Sequence, residues 1–143
     1  MQTQRNKVVV HYLDGQLLKG YTHDFMPDKA LFHVSTAIEP GVGTVHEVNV
    51  LDLKAVFFVR AAEGNPDYKE KKRFEETDGK HLHGIKIKIV FKDGETLRGV
   101  SMGFSKTKKG FFVIPVDPHS NNERVFVLTA STSEIITGPK AEE

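Results

Sequence analysis

Seven histidines are the first side chains to test for chemistry, because imidazole serves both as a metal ligand and as a proton carrier near neutral pH. His81 and His83 lie two residues apart and would share one face of an extended strand. The sequence places no third histidine or carboxylate to complete the site, and a zinc centre needs at least three protein ligands. We therefore expect no metal ion, and no motif predicts an organic cofactor.

The hydroxyl and carboxyl side chains do not predict a catalytic site either. Serine and threonine are plentiful, but no nucleophile elbow and no local pairing of a serine with a base occurs. Asp14 and Asp93 resemble a carboxylate pair, yet each precedes a glycine and is explained as a turn former. The sequence therefore predicts a protein that is not an enzyme.

The loop at residues 117–124 is the best candidate for a partner-binding element. It interrupts the last strands of the chain, where small barrels commonly carry binding loops, and Arg124 can receive an anionic group. The alternative is a capped turn whose asparagines bond their own backbone, with Arg124 paired to an acid. The side chains of this candidate loop are Asp117, His119, Ser120, Asn121, Asn122 and Arg124.

A basic strand face is the candidate for nucleic acid. Lys86, Lys88 and Lys92 share one side of a predicted strand, and Arg98 follows on the next strand. Phenylalanines farther along the chain could stack on the bases of single-stranded RNA or DNA. The alternative is an ordinary solvated face beside a phenylalanine core.

The segment Leu53–Val59 is unusual because its residues from Ala55 onward are all apolar. A strand with one solvated face should alternate, so this pattern predicts burial on both faces. We favour packing between two halves of the chain, with self-association as the second explanation. The candidate interface residues are Val56, Phe57, Phe58 and Val59.

The sequence that contains these candidate residues has an internal repeat. Residues 7–20 return as residues 86–99 without a gap, each copy reading as a strand, an Asp-Gly turn, a second strand and a glycine. We expect both residues of each Asp-Gly pair to adopt left-handed backbone conformations in a tight hairpin. The recurring glycine, Gly20 and then Gly99, predicts a sharp bend.

The repeat also predicts the domain organisation. Five short strands per copy give a first barrel at residues 1–62 and a second barrel at residues 84–143, whose C-terminal end we expect to be disordered. Residues 63–83 are unlike strand and predict a charged linker with a short helix.

Composition narrows the function classes. A formal net charge of +1 is weaker than the bias of most dedicated nucleic-acid binders. Cysteine is absent, so disulfides and thiolate metal sites are excluded. The longest apolar run has five residues, against roughly 20 needed to span a bilayer. We expect a cytoplasmic protein with no membrane contact.

The order of alternating strand, Asp-Gly, Leu-x-Gly, aromatic residue, turn and three further strands resembles the Sm-like and SH3-type small barrels. This resemblance implies an all-β fold of two tandem five-stranded barrels packed together. The stretches at residues 53–60 and 115–127 are also similar to a family of small uncharacterised bacterial proteins, which brings no established activity.

We therefore expect a non-enzymatic binding or adaptor module with a regulatory role. It would contact a protein partner, or a second copy of itself, through its strand edges or the loop at residues 117–124. The alternative is a single-stranded RNA or DNA binder that uses the basic face of the second copy.

Overall fold

The duplicated hairpin is present in both halves of the computed structural model, which describes residues 5–36, 43–61 and 66–143. The two hairpins consist of β1 (Asn6–Tyr12) with β2 (Leu17–Thr22), and β6 (Ile85–Phe91) with β7 (Thr96–Ser101). In both, the register pairs the strands antiparallel along their length. The sequence predicted these hairpins correctly.

The turn chemistry differs from the expectation in one respect. Gly15 and Gly94 are left-handed, both with φ of 93°, whereas no non-glycine residue in the described part has positive φ. Asp14 and Asp93 instead accept a hydrogen bond from the backbone N–H two residues ahead, each at 2.9 Å. Because four residues separate the strands, one left-handed position is enough to reverse the chain.

Six more strands complete the fold: β3 (Leu31–Ser35), β4 (Val45–Asn49), β5 (Leu53–Val59), β8 (Gly110–Pro115), β9 (Asn122–Leu128) and β10 (Thr132–Thr137). Helix is limited in the described residues to short 3-10 turns at Val50–Asp52, Phe74–Glu76, Thr129–Ser131 and Pro139–Glu142. The protein is all-β, as predicted.

All ten strands form one antiparallel sheet with the order β10-β6-β7-β8-β9-β5-β1-β2-β3-β4. Each half therefore has the same internal order, in which its fifth strand precedes its first, second, third and fourth. β5 and β9 join the halves, with Val56 opposite Phe126 and Phe57 opposite Val125. We call this strand pair the junction.

The ten strands are confirmed, but the two tandem barrels packed together that we expected are not seen as closed sheets. The strands form a single open sheet, whose outer strands β4 and β10 each pair with one neighbour. The physical reason is that β5 pairs with β9 on one side as well as with β1 on the other. The predicted boundary at residues 62 and 63 lies outside the described residues.

The recurring glycines bend each half at its second strand. A Cβ atom on Gly20 would collide with the backbone oxygen of Ser35, and one on Gly99 with that of Ile114. Only a residue without a side chain lets the next strand approach this closely. The predicted bend thus has a concrete cause.

The apolar strand β5 is buried along its entire length, and its two faces enter different cores. Val56 and Phe58 pack with Phe126 in the first core. Ala55 and Phe57 pack with residues of the second half, including Ile87, Ile89 and Phe111, in the second core. Burial of both faces explains why β5 does not alternate.

A third, smaller cluster covers the outside of the second half. Phe74 from the linker and Ala141 from the C-terminal 3-10 turn pack against Val100 and Val116. The linker has one 3-10 turn at Phe74–Glu76 where we expected a short helix, and the C-terminal end, expected to be disordered, is ordered by this contact. No helix among the described residues has the length and apolar character needed to cross a bilayer.

Candidate functional site

Among the described residues, two clefts near the junction contain candidate cations from the sequence analysis, Arg124 in one and Arg98 in the other. The first, which we call the aromatic cleft, has a volume of about 360 Å³ and lies where the loop after β2 meets β8 and β9. The second, the junction cleft, has a similar volume and lies between the β1-β2 hairpin, β7 and the linker. Both are built from the two halves together, so neither exists in one copy of the repeat alone.

A cluster of phenylalanine rings supports the aromatic cleft. The ring of Phe25 contacts four other rings at centroid distances between 5.0 and 6.1 Å, all near edge-on: Phe32, Phe58, Phe112 and Phe126. Edge-to-face contacts of this kind are favourable beyond the burial of area. The rings come from both halves, and Phe112 and Phe126 line the cleft itself.

Arg124 lies on this aromatic floor. Its guanidinium carbon is 4.4 Å from the ring centroid of Phe58 and 4.9 Å from that of Phe112. Stacking on two rings fixes the orientation of the planar group. The predicted alternative, an acid paired with Arg124, is not found among the described residues, whose ion pairs all lie elsewhere.

Exposed apolar side chains line the same cleft. Met102 is 84% exposed and Ile114 is 39% exposed, and both contribute to its wall beside Arg124. The corresponding positions of the first half, at the offset that relates Lys7 to Lys86, hold His23 and Ser35. The second half therefore presents an apolar surface where the first half presents a polar one.

Most side chains of the predicted binding loop are engaged within the chain, and His119, Ser120 and Asn121 also line a further cleft of about 580 Å³. Asp117 is buried and accepts hydrogen bonds from the hydroxyl of Tyr68 at 2.6 Å, the backbone N–H of Lys71 at 2.8 Å and that of His119 at 2.8 Å. Burial alone would raise the pKa of Asp117, but these donors outweigh it and lower the pKa below its ordinary value. The same hydrogen bond raises the pKa of Tyr68 to about 12.

The rest of the loop is also engaged. Asn121 donates to the backbone oxygen of Ala61 and accepts from its N–H, each at 2.9 Å, which ties the loop to the end of β5. The Ser120 hydroxyl donates to Glu70 and accepts from the N–H of Asn122. His119 is exposed. Of the six candidates, Arg124 alone reaches the aromatic cleft.

The predicted basic face contacts the C-terminal segment of the chain and stays partly exposed. Lys86 forms an ion pair with Glu142 at 3.1 Å, while Lys88 and Arg98 donate to the backbone oxygen of Glu143 at 2.9 and 3.1 Å. Lys92 makes none of these side-chain contacts and lies at the far end of the strand. The structure thus brings three of the four predicted cations together, under the C-terminal segment.

The candidate interface residues divide between the two cores. Val56 and Phe58 belong to the first core, and Phe57 and Val59 to the second. Phe57 and Val59 also line the junction cleft, together with Arg98, Asn121 and Asn122. Residues from three separate sequence candidates therefore meet in one cleft.

Several cleft residues had no motif to mark them. Met102 and Ile114 in the aromatic cleft, and Lys19 and Lys72 in the junction cleft, look like ordinary surface residues in the sequence. A position-by-position comparison of the two copies is the signal that could have found Met102 and Ile114.

The histidine pair tested for a metal site is placed otherwise. His81 Nε2 donates to the backbone oxygen of Val116 at 2.7 Å, and the described residues contain no cluster suited to a metal ion.

Comparison with known proteins gives one match. A family model described as "Family of unknown function (DUF6982)" matches residues 4–138, which is nearly the whole chain. No curated protein and no solved structure matches.

Proposed function

We propose that this chain, which belongs to the Family of unknown function (DUF6982), acts as a non-enzymatic adaptor module that binds a protein partner at the aromatic cleft. The observation that carries this proposal is Arg124, which is stacked on Phe58 and Phe112 and forms no ion pair with a described acid. The cation is oriented before a partner arrives, so binding loses little side-chain entropy.

The composition of the cleft supports a protein partner. Methionine, aromatic residues and arginine are the types enriched in protein interfaces, and here Met102, Phe112 and Arg124 lie side by side. Binding energy in such interfaces concentrates in a few aromatic and arginine residues that are surrounded by apolar contacts. Exposed Met102 and Ile114 supply that apolar surrounding.

The chemistry of the cleft also indicates what the partner presents. Lys108 lines it together with Arg124, and none of the described acidic residues does. A segment that inserts an aliphatic or aromatic side chain between Met102 and Ile114 and places a carboxylate against Arg124 fits this surface. We therefore propose an acidic segment with apolar anchors as the occupant.

We also propose that each half is a small Sm-like or SH3-like barrel, divided as residues 1–62, 63–83 and 84–143. The support is that both halves have the same strand order and a bending glycine in the second strand. A short 3-10 turn also connects the fourth and fifth strands in each half.

Binding of single-stranded RNA or DNA is the second proposal, and it has less support. Lys86, Lys88 and Arg98 do lie together, but their donors already contact Glu142 and the backbone of Glu143. A nucleic acid would have to displace that segment. Titration with labelled single-stranded RNA at two salt concentrations separates the proposals, because phosphate contacts weaken steeply with salt.

The test of the main proposal begins with selection of displayed random peptides on the full-length protein. We expect the enriched peptides to carry an apolar residue next to a carboxylate. Fluorescence anisotropy with one labelled peptide should then show about tenfold or greater weakening for Arg124→Gln and for Met102→Ser.

Two variants outside the aromatic cleft serve as matched controls. Arg60→Gln removes the same charge from an exposed site outside the aromatic cleft, and Leu51→Ser removes an apolar side chain that is 67% exposed on the first half. Both should leave the affinity unchanged. Equal weakening by controls and cleft variants, or no enrichment of acidic peptides, would contradict the proposal.

A further inference from the structure

We infer that the junction cleft is a binding site for a small phosphorylated molecule that carries a flat ring, of the size of a mononucleotide. This site is separate from the aromatic cleft, and the inference does not depend on the protein partner proposed above. It follows from the enclosure, the charge and the floor of the cleft.

The cleft has walls from three parts of the chain. The β1-β2 hairpin contributes His11 and Lys19, β7 contributes Arg98, and the linker contributes Lys71 and Lys72. Its volume of about 360 Å³ lies within the range of sites that hold small ligands. A cleft between two packed halves is a common location for such sites.

The charge of the lining is unbalanced toward the positive. Four cationic side chains line the cleft, namely Lys19, Lys71, Lys72 and Arg98, against two acids. Both acids are already engaged, because Glu95 pairs with Lys54 at 3.0 Å and Glu70 accepts the hydroxyl of Ser120. The lysines of this lining make no ion pair with another described residue. The charge of Lys71 already acts on the carboxylate of Asp117, so the lysines left for an incoming anion are Lys19 and Lys72.

Arg98 adds a guanidinium group to this lining. One of its terminal nitrogens donates to the backbone of Glu143. Lys19 occupies the matching position of the other copy, so the repeat places a cation on each side of the cleft. Phosphate is the anion that accepts several such donors at once.

The floor of the cleft is apolar and includes an aromatic pair. The rings of His11 and Phe57 lie 4.2 Å apart between centroids, tilted by 41°. Burial, followed by the nearby charge of Lys54, lowers the pKa of His11, which favours the neutral ring. Val9, Phe57 and Val59 keep 9%, 8% and 6% of their surface exposed, whereas Ala55 and Val125 in the same core have none. His11, which is partly exposed, therefore presents ring surface beside this apolar floor.

These features together select the ligand class. The cations suit phosphate, and an apolar floor with an aromatic pair suits a planar ring rather than a free inorganic ion. A mononucleotide combines both groups in a molecule that fits the volume. The ligand would contact both halves and the linker, and so would bridge all three.

The test uses the full-length protein and three probes: ATP, inorganic pyrophosphate and adenosine. Isothermal titration calorimetry at low ionic strength should show binding of ATP and much weaker binding of the other two, since each carries one of the two recognised groups. Lys19→Gln and Lys72→Gln should each weaken ATP binding about tenfold. The histidine resonances of His11 should shift during the titration.

The control is Lys109→Gln, which removes an exposed lysine that lines neither cleft. Absence of ATP binding at low ionic strength would overturn the inference. So would pyrophosphate binding as tight as ATP binding, which would show that the floor recognises no ring. Equal weakening by Lys109→Gln would also overturn it, because the interaction would then be a general effect of charge.

Discussion

The junction strands and the outer strands of the sheet are the same two elements of the repeat in different surroundings. At the offset that relates the copies, β5 corresponds to β10 and β9 corresponds to β4. β5 and β9 pair with each other inside the chain, whereas β10 and β4 form its open edges. The sequence differences between the two pairs favour pairing of β5 with β9 and oppose pairing of β4 with β10 of another chain.

The difference is one of polarity at matching positions. Glu134 stands in β10 where β5 has the buried Ala55, and Glu47 stands in β4 where β9 has the buried Phe126. Pairing of the open edges in the junction register would bury both carboxylates. Both carboxylates are exposed in this chain, and charged residues on edge strands are a recognised way to prevent edge pairing between chains. The comparison is consistent with our proposal that a partner binds beside the junction rather than along the edges.

The largest expected effect is on a junction phenylalanine. Phe58→Ala removes a ring that is 4% exposed and packs in the first core, so we expect a loss of about 3–5 kcal/mol in the free energy of unfolding. Thr137 occupies the corresponding position of the repeat on β10, and Thr137→Ala should lower the free energy of unfolding by less than about 0.5 kcal/mol. Chemical denaturation measures both, and equal losses would contradict the comparison.

Next in size is the loss of an ion pair that links the halves. Lys54 on β5 is largely buried and lies 2.7 Å from Asp93 and 3.0 Å from Glu95 in the second hairpin. Lys54→Met keeps the stem of the side chain and should cost about 1–2 kcal/mol, since both acids are partly solvated. Ser133→Ala, the matching change on β10, is the control, and we expect it to have little effect.

The same pair predicts a dependence on pH. The hydrogen bond from Lys54 lowers the pKa of Asp93 below its ordinary value of 3.8. This contribution is therefore complete above pH 3.8 and is lost as the pH falls through the lower folded-state pKa. The stability difference between wild type and Lys54→Met should shrink over that acidic window. A difference that stays constant there would show that Asp93 is not the partner that matters.

A smaller effect is expected at the aromatic cleft. Arg124→Gln removes a cation from two phenylalanine rings and should lower stability by about 0.5–1 kcal/mol. Val45→Gln, at the matching position of β4, changes a residue that is 64% exposed and should have no measurable effect. Thermal denaturation of the two variants makes this comparison. A large loss for Arg124→Gln would mean that the arginine is mainly structural.

Changes to the open edge strands β4 and β10 should affect stability least and the oligomeric state most. A variant with Glu47→Phe, Glu134→Ala and Thr137→Phe gives the open edges the residues of the junction. Its unfolding free energy should change little, but it should associate as protein concentration rises, because two complementary edges can then pair between chains. Sedimentation velocity checks this, and a variant that stays monomeric would show that edge charge is not what prevents pairing.

The sequence predicted the local features of this fold well. The Asp-Gly hairpins, the bending glycines and the burial of β5 all follow from patterns within a few residues of one another. The open ten-stranded sheet could not be predicted from the sequence, because β5 and β9, which pair with each other, are distant in the chain. No local pattern states which strand lies next to another.

The candidate sites were harder for the same reason. Asp117 looks like a ligand-binding residue in the sequence, but the linker supplies its donors, Tyr68 and Lys71, from far along the chain. Lys86 and Lys88 look free, but the C-terminal segment reaches them. Arg124 was identified as a candidate from its type alone, and its aromatic support comes from tertiary packing.

The most direct test of the central claim, that partners are recognised beside the junction, is an NMR titration. Isotope-labelled full-length protein is titrated with the selected acidic, apolar peptide, and amide shifts are followed residue by residue. The account predicts that the shifts concentrate around Met102, Ile114 and Arg124, with β4 and β10 unchanged. Shifts that instead run along β4 or β10 would show strand addition at an open edge and would contradict it.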